Sequence, residues 1–176
     1  MANSIWALDP THSEVQFKVK HLMITNVTGN FGTFSANVET EGDDFTKSSI
    51  RFSADINSIS TNNEQRDGHL KSADFFDAEN FATLNFTATE FKKVDDENYE
   101  MFGDLTIKDV TKNVKLNVEF GGINQDPWGN TKAGFTINGK INRKDFGLNW
   151  NAPLETGGML VSEDVRLMAE IQLAKQ

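Results

Sequence analysis

The chain has 176 residues, a formal net charge of −9 and no cysteine, a length that fits one domain with room for a substantial core. So acidic a chain is poorly placed to neutralise phosphates, which sets aside nucleic acid and a stable hold on an anionic membrane surface, and no stable membrane insertion is expected. The missing cysteines remove disulfides, thiolate nucleophiles and thiolate metal sites.

The opening residues, from Met1 to Pro10, hold neither a basic segment nor an apolar run. No signal peptide is expected, and no stretch reaches the ~20 apolar residues of a membrane span. As written the chain reads as cytoplasmic, or periplasmic if it is a processed form.

Two-residue alternation then dominates. Val15, Phe17 and Val19 alternate with Glu14, Gln16, Lys18 and Lys20, and after a Gly-rich turn at Gly29 to Gly32 come Phe34, Ala36 and Val38. Ile50, Phe52, Ala54 and Ile56 form a third run. Leu84, Phe86 and Ala88 form a fourth, and Leu105 and Ile107 lead into a turn around Asp109 to Asn113. Val114, Leu116, Val118 and Phe120 follow it, then Ala133, Phe135, Ile137, Gly139 and Ile141, and finally Val165, Leu167, Ala169, Ile171 and Leu173. About eight one-sided strands imply an all-β protein, an antiparallel barrel curled round one interior rather than a two-sheet sandwich.

Thr61-Asn62-Asn63-Glu64 breaks the pattern as a capping box. It opens a short helix to about Ser72, with Arg66, His69, Leu70 and Ala73 on one face and Asp67 spaced to pair with Lys71. Lying between the third and fourth long strands, the helix is expected to cover a barrel mouth. Nothing in the chain marks a second domain, so residues 1–176 read as one.

No HExxH, GxSxG, GxGxxG or Walker-type loop is present. His21 shares the inward parity of Phe17 and Val19, whereas His12 has the opposite parity, which argues against a shared metal. His21 is either a satisfied strand-end histidine or a contact for a ligand head group. Arg66 either pairs with Asp67, Asp74 or Asp77 and pins the helix, or joins His69 in donating to a head group. His69 acting as a base needs an orienting carboxylate, Asp67 or Asp74, and a nucleophile that is not recognisable, so binding is expected rather than catalysis.

Fourteen Phe against one Tyr and three Trp supply apolar area with no polar handle, which suits a greasy bore or a plain Phe core. Small residues recur within the inward runs, as Ala36, Ala54, Ala88, Gly139 and Ala169. They either leave a tubular void or fit the taper of a packed barrel. The expected lining of a bore is Phe17, Val19, Phe34, Ala36, Phe52, Ala54, Ile56, Phe86, Ala88, Leu105, Ile107, Leu116, Val118, Phe135, Ile137, Gly139, Leu167 and Ala169.

Trp6-x-Leu8-Asp9-x-x-His12-Ser13-x-Val15-x-Phe17-x-Val19-x-His21 and Arg66-Asp67-x-His69-Leu70-Lys71-Ser72-x-Asp74-Phe75-Phe76-Asp77 carry a resemblance, together with Gly103-Asp104-Leu105-Thr106 and Asn142 through Leu148. On these, nearly the whole chain resembles the YceI-like, polyisoprenoid-binding family. Ala82 and Asn113 stand where that family usually has proline, and Asp109 where it has glycine, which bears on local turns. The resemblance implies an extended, lipocalin-like eight-stranded barrel with a short helix and an elongated apolar channel. It implies a long-chain isoprenoid or fatty amphiphile as partner, no catalytic residues, and no cofactor beyond such a non-covalently held lipid. His21, Arg66 and His69 are the head-group candidates, and a homodimer is left open.

Overall fold

Alternating side chains become strands because one pleat face finds a shared interior. The computed structural model describes residues 3–152, 154 and 159–176. Its strands are β1 (Asn3–Leu8), β2 (Glu14–His21), β3 (Thr25–Phe31), β4 (Phe34–Glu41), β5 (Asp44–Asp55), β6 (Ile59–Ser60), β7 (Thr83–Lys93), β8 (Asn98–Ile107), β9 (Val110–Gln125), β10 (Thr131–Asn142) and β11 (Val161–Lys175). One helix, α1 (Glu64–Lys71), lies between β6 and β7.

All strands belong to one antiparallel sheet, and eight of them close it in the order β1-β4-β5-β7-β8-β9-β10-β11. Trp6↔Lys175 through Leu8↔Leu173 join β11 back to β1. Further along β11 the partner changes to β2, from Glu170↔Glu14 to Val161↔His21, and β3 and β6 extend that wall. At 15 residues β11 spans about 50 Å, which makes the barrel long.

The change of partner comes from a short 3-10 turn over Pro10–His12, where proline lacks the ladder donor and Asp9 accepts from the Thr11 amide. Gln172 bridges the gap. Its carbonyl accepts from Asp9 N–H at 2.9 Å, and its N–H donates to Ser13 Oγ at 3.0 Å.

Two expected turns are shorter than the composition suggested. Gly29 lies inside β3 directly opposite Phe17, and a Cβ there would sit 2.2 Å from that ring's Cζ. Glycine serves close packing here, and the chain reverses only at Gly32 and Thr33. The turn expected at Asp109 to Asn113 is only Lys108 and Asp109, so Asn113 is a strand residue donating to Asp104 Oδ1 at 3.2 Å.

The helix start also moves. Asn63, not Thr61, is the N-cap and accepts from the Arg66 amide at 3.0 Å. At the opposite end of the barrel Trp6 and Thr40 are each 1% exposed, and the indole N–H donates to Thr40 Oγ1 at 2.9 Å, so the buried donor is satisfied.

Candidate ligand-binding bore

The interior is not filled by side chains. One cavity of about 180 Å³ lies among the central strands, and a second of about 240 Å³ lies towards α1. An enclosed apolar cavity of ~150 Å³ already admits a benzene ring, so each is large enough to take part of a hydrocarbon chain. Phe17, Phe31, Leu84, Ile107, Ile141 and Leu167 line both and form a waist between them.

Of the residues expected to line a bore, Phe17, Ala36, Phe52, Phe86, Leu105, Ile107, Leu116, Val118, Phe135, Ile137, Leu167 and Ala169 face the central cavity. Val19 faces the cavity near the helix, together with Phe17, Ile107 and Leu167. Five do not face either. Ala54 is 0% exposed and packs with Ile56, Phe31, Ile59 and Ala78, with Phe34 against that cluster, so these small residues serve packing. Gly139 is a receptacle: a Cβ there would fall 2.3 Å from Leu116 Cδ2.

Ala88 sits beside an irregularity between Ala88 and Glu90 that shifts the register of β7. Beyond it the inward parity changes, so Phe91 lines the bore although strict alternation from Phe86 points it outward. Phe91 was therefore missed by period-2 reading.

His21, Arg66 and His69 all border the helix-end cavity. Thr61, rather than a carboxylate, holds Arg66: Nε donates to Thr61 Oγ1 and Nη2 to Thr61 O, both at 2.7 Å. The expected pairing with Asp67, Asp74 or Asp77 is not made, because Asp67 is buried and accepts instead from Thr61 N–H (2.8 Å) and Oγ1–H (2.6 Å). Nor does Asp67 pair with Lys71, since Thr61 engages its buried carboxylate. His69 Nε2 lies 2.9 Å from Asp74 Oδ2, and its ring packs edge-on against Phe75 and Trp150.

Arg143 is the residue that sequence reasoning passed over, although it lies within the Asn142 to Leu148 segment. It borders the same cavity, is 3% exposed, and donates to the carbonyls of Ser162 (2.8 Å), Leu148 and Trp150 (2.9 Å). Burial lowers its pKa from the ordinary arginine value while nearby Glu163 opposes the shift. An arginine stays protonated through such a shift. Lys20 also borders this cavity, so its polar rim is Lys20, His21, Thr61, Arg66, His69 and Arg143, with no carboxylate among the described residues. Among the described residues no three His, Cys, Asp or Glu are grouped to hold a metal.

The YceI-like domain model matches residues 6–173. This chain belongs to the YceI-like family. A relative, the UPF0312 protein SA2479 of Staphylococcus aureus strain N315, is 39% identical over 172 residues, covering 96% of each chain. The crystal structure of Campylobacter jejuni YceI protein is 34% identical and superposes with a TM-score of 0.77 over 90% of this chain and 91% of that one. A polyisoprenoid binding domain from Saccharophagus degradans is 17% identical with a TM-score of 0.68, covering 97% of this chain and 98% of that one, and shares the YceI-like fold.

Proposed function

We propose that the chain binds a long-chain amphiphile of the polyisoprenoid class and carries or stores it. The tail lies across the waist through both cavities, and the head sits near His21, Arg66 and His69. The carrying observation is the pair of apolar cavities meeting at one waist. The family and the polyisoprenoid-binding neighbour support the same reading.

Length decides the energetics. A buried methylene contributes about 0.8 kcal/mol, so ~20 carbons give on the order of 15 kcal/mol against an association cost of roughly 4–15 kcal/mol. Ten carbons give about 8 kcal/mol, within that cost, and ~20 reach its upper end, so the longer chain is held more tightly. Binding is favoured over catalysis because His69 has an orienting carboxylate in Asp74 but, among the described residues, no hydroxyl or thiol bonded to its ring. Organic extraction of the purified protein followed by mass spectrometry is expected to release a long-chain lipid. Clean extracts, with no rise in Tm on adding polyprenyl or fatty chains, overturn the proposal.

A further inference from the structure

The turn joining β2 to β3 is Leu22-Met23-Ile24, and its three side chains are 40%, 50% and 77% exposed. The Ile24 amide donates to the His21 carbonyl at 3.2 Å, and both central residues have positive φ, 56° at Leu22 and 62° at Met23. A turn with two left-handed central residues is most readily built from Asn-Gly, because a Cβ there crowds the following carbonyl oxygen, a cost that glycine lacks and asparagine offsets by local hydrogen bonding. A connection serving only to reverse the chain has no use for Leu-Met-Ile. The sequence accepts both strain and exposed apolar area at one point.

That point adjoins the helix-end cavity. His21, Val27 and Lys20 on the flanking strands line it, as do Leu160 and Val161 on the facing segment. The Leu22 amide donates to Leu160 O at 2.8 Å, which brings Met159, 47% exposed, alongside the tip. The four apolar side chains present on the order of 400 Å², about half the ~800 Å² that each partner contributes to a stable dimer. A small convex protrusion of this size suits insertion between lipids better than a second copy.

Charge agrees. The whole chain is −9, yet the cavity beside the tip is bordered by Lys20, Arg66 and Arg143 with His21 and His69, and by no described carboxylate. Of the nearby acids, Asp67 accepts from Thr61, Asp74 lies against His69, and Glu163, close to Arg143, pairs with Lys144. Arg143 is buried on backbone carbonyls, so the charge that this end offers an anionic surface is that of the exposed Lys20 and Arg66, although the molecule as a whole is acidic.

We infer that the Leu22-Met23-Ile24 tip, with Met159, docks reversibly on an anionic lipid surface and sets the adjoining cavity mouth against it. The contact inferred is made by the tip alone, and among the described residues no helix is long and apolar enough to cross a membrane. Transfer of cargo at this contact rests on the lipid-carrying reading, whereas docking itself does not.

The test uses the variant L22N/M23G, which replaces the strained pair with residues suited to the turn and leaves the cavity lining intact. Wild-type protein is expected to co-sediment with vesicles of 30% phosphatidylglycerol in phosphatidylcholine, and the variant to partition at least tenfold more weakly while melting at the same or higher temperature. Transfer of a fluorescent long-chain lipid from those vesicles should slow by tenfold or more, with equilibrium uptake from cyclodextrin unchanged. Equal vesicle partitioning by the two proteins overturns the inference. So does a wild-type dimer in sedimentation velocity that the variant dissociates. No uptake from cyclodextrin by either protein overturns the lipid-carrying reading instead, and the co-sedimentation result still decides the docking.

Discussion

Gly29→Ala probes the waist of the bore most directly. The added methyl carbon would lie 2.2 Å from Phe17 Cζ and 2.6 and 2.8 Å from its two Cε atoms, far inside contact distance, so the ring must move by more than an ångström. Phe17 sits directly across from Gly29 and already borders both cavities, so the open space lies on the bore side. Overpacking of this kind costs roughly 1–3 kcal/mol, reduced by the ~0.5–1 kcal/mol that alanine gains over glycine within a strand. A ring turned into the waist displaces about four methylenes of a threading tail. At ~0.8 kcal/mol each, binding weakens by ~3 kcal/mol, more than a hundredfold. Displacement of a fluorescent fatty probe by chains of ~10 and ~20 carbons measures this. The short chain, housed on one side, should bind as before, and G29A/F17A should restore the long one. A folded Gly29→Ala protein that binds the long chain within threefold of wild type would refute the reasoning.

Other substitutions separate packing from lining. Ala169→Phe places a ring in the central cavity and should abolish lipid uptake with Tm little changed, whereas Ala54→Phe, at a position with no adjoining space, should lower stability by roughly 1–3 kcal/mol. Thr40→Val leaves the buried Trp6 indole N–H without an acceptor and should cost about 1–3 kcal/mol in urea unfolding. Asp9 is held well below the usual carboxylate range, first by the Thr11 hydroxyl, then by His12 and Lys132. Its contribution is therefore complete above its unfolded pKa of ~3.9 and lost as pH falls through the folded pKa. Asp9→Asn should be about 1 kcal/mol less stable at neutral pH and show a flatter acid limb in pH-dependent melting.

The barrel was legible because period-2 alternation needs only one rule, that every second side chain faces the interior, and from Val15 to Leu173 that rule holds over most long strands. It failed where the pleat slips. Phe91 faces inward only because the register shifts near Ala88, and nothing local in Phe86-x-Ala88 announces it. Small residues were the harder case. Ala36 and Ala169 border open space, but Gly29, Gly103 and Gly139 are filled from across the strand by Phe17, Phe86 and Leu116. Whether a missing side chain leaves a void depends on the cross-strand neighbour, which register alone decides. The helix-end residues His21, Arg66 and His69 came from parity and from the capping signal. Arg143 did not, because an arginine whose partners are backbone carbonyls has no complementary charge in the sequence to betray it.

β11 bonds to β10 on one side and to β1 and β2 in succession on the other, so a single strand completes the ring. Its contact with the start of the chain joins Ser13 to Gln172, 159 positions apart. Such distant pairing places ring completion late and makes assembly slow for the molecule's size. Until 161–175 docks, three strands present bare hydrogen-bonding edges to any neighbour, so a product ending before that segment is expected to clump rather than fold.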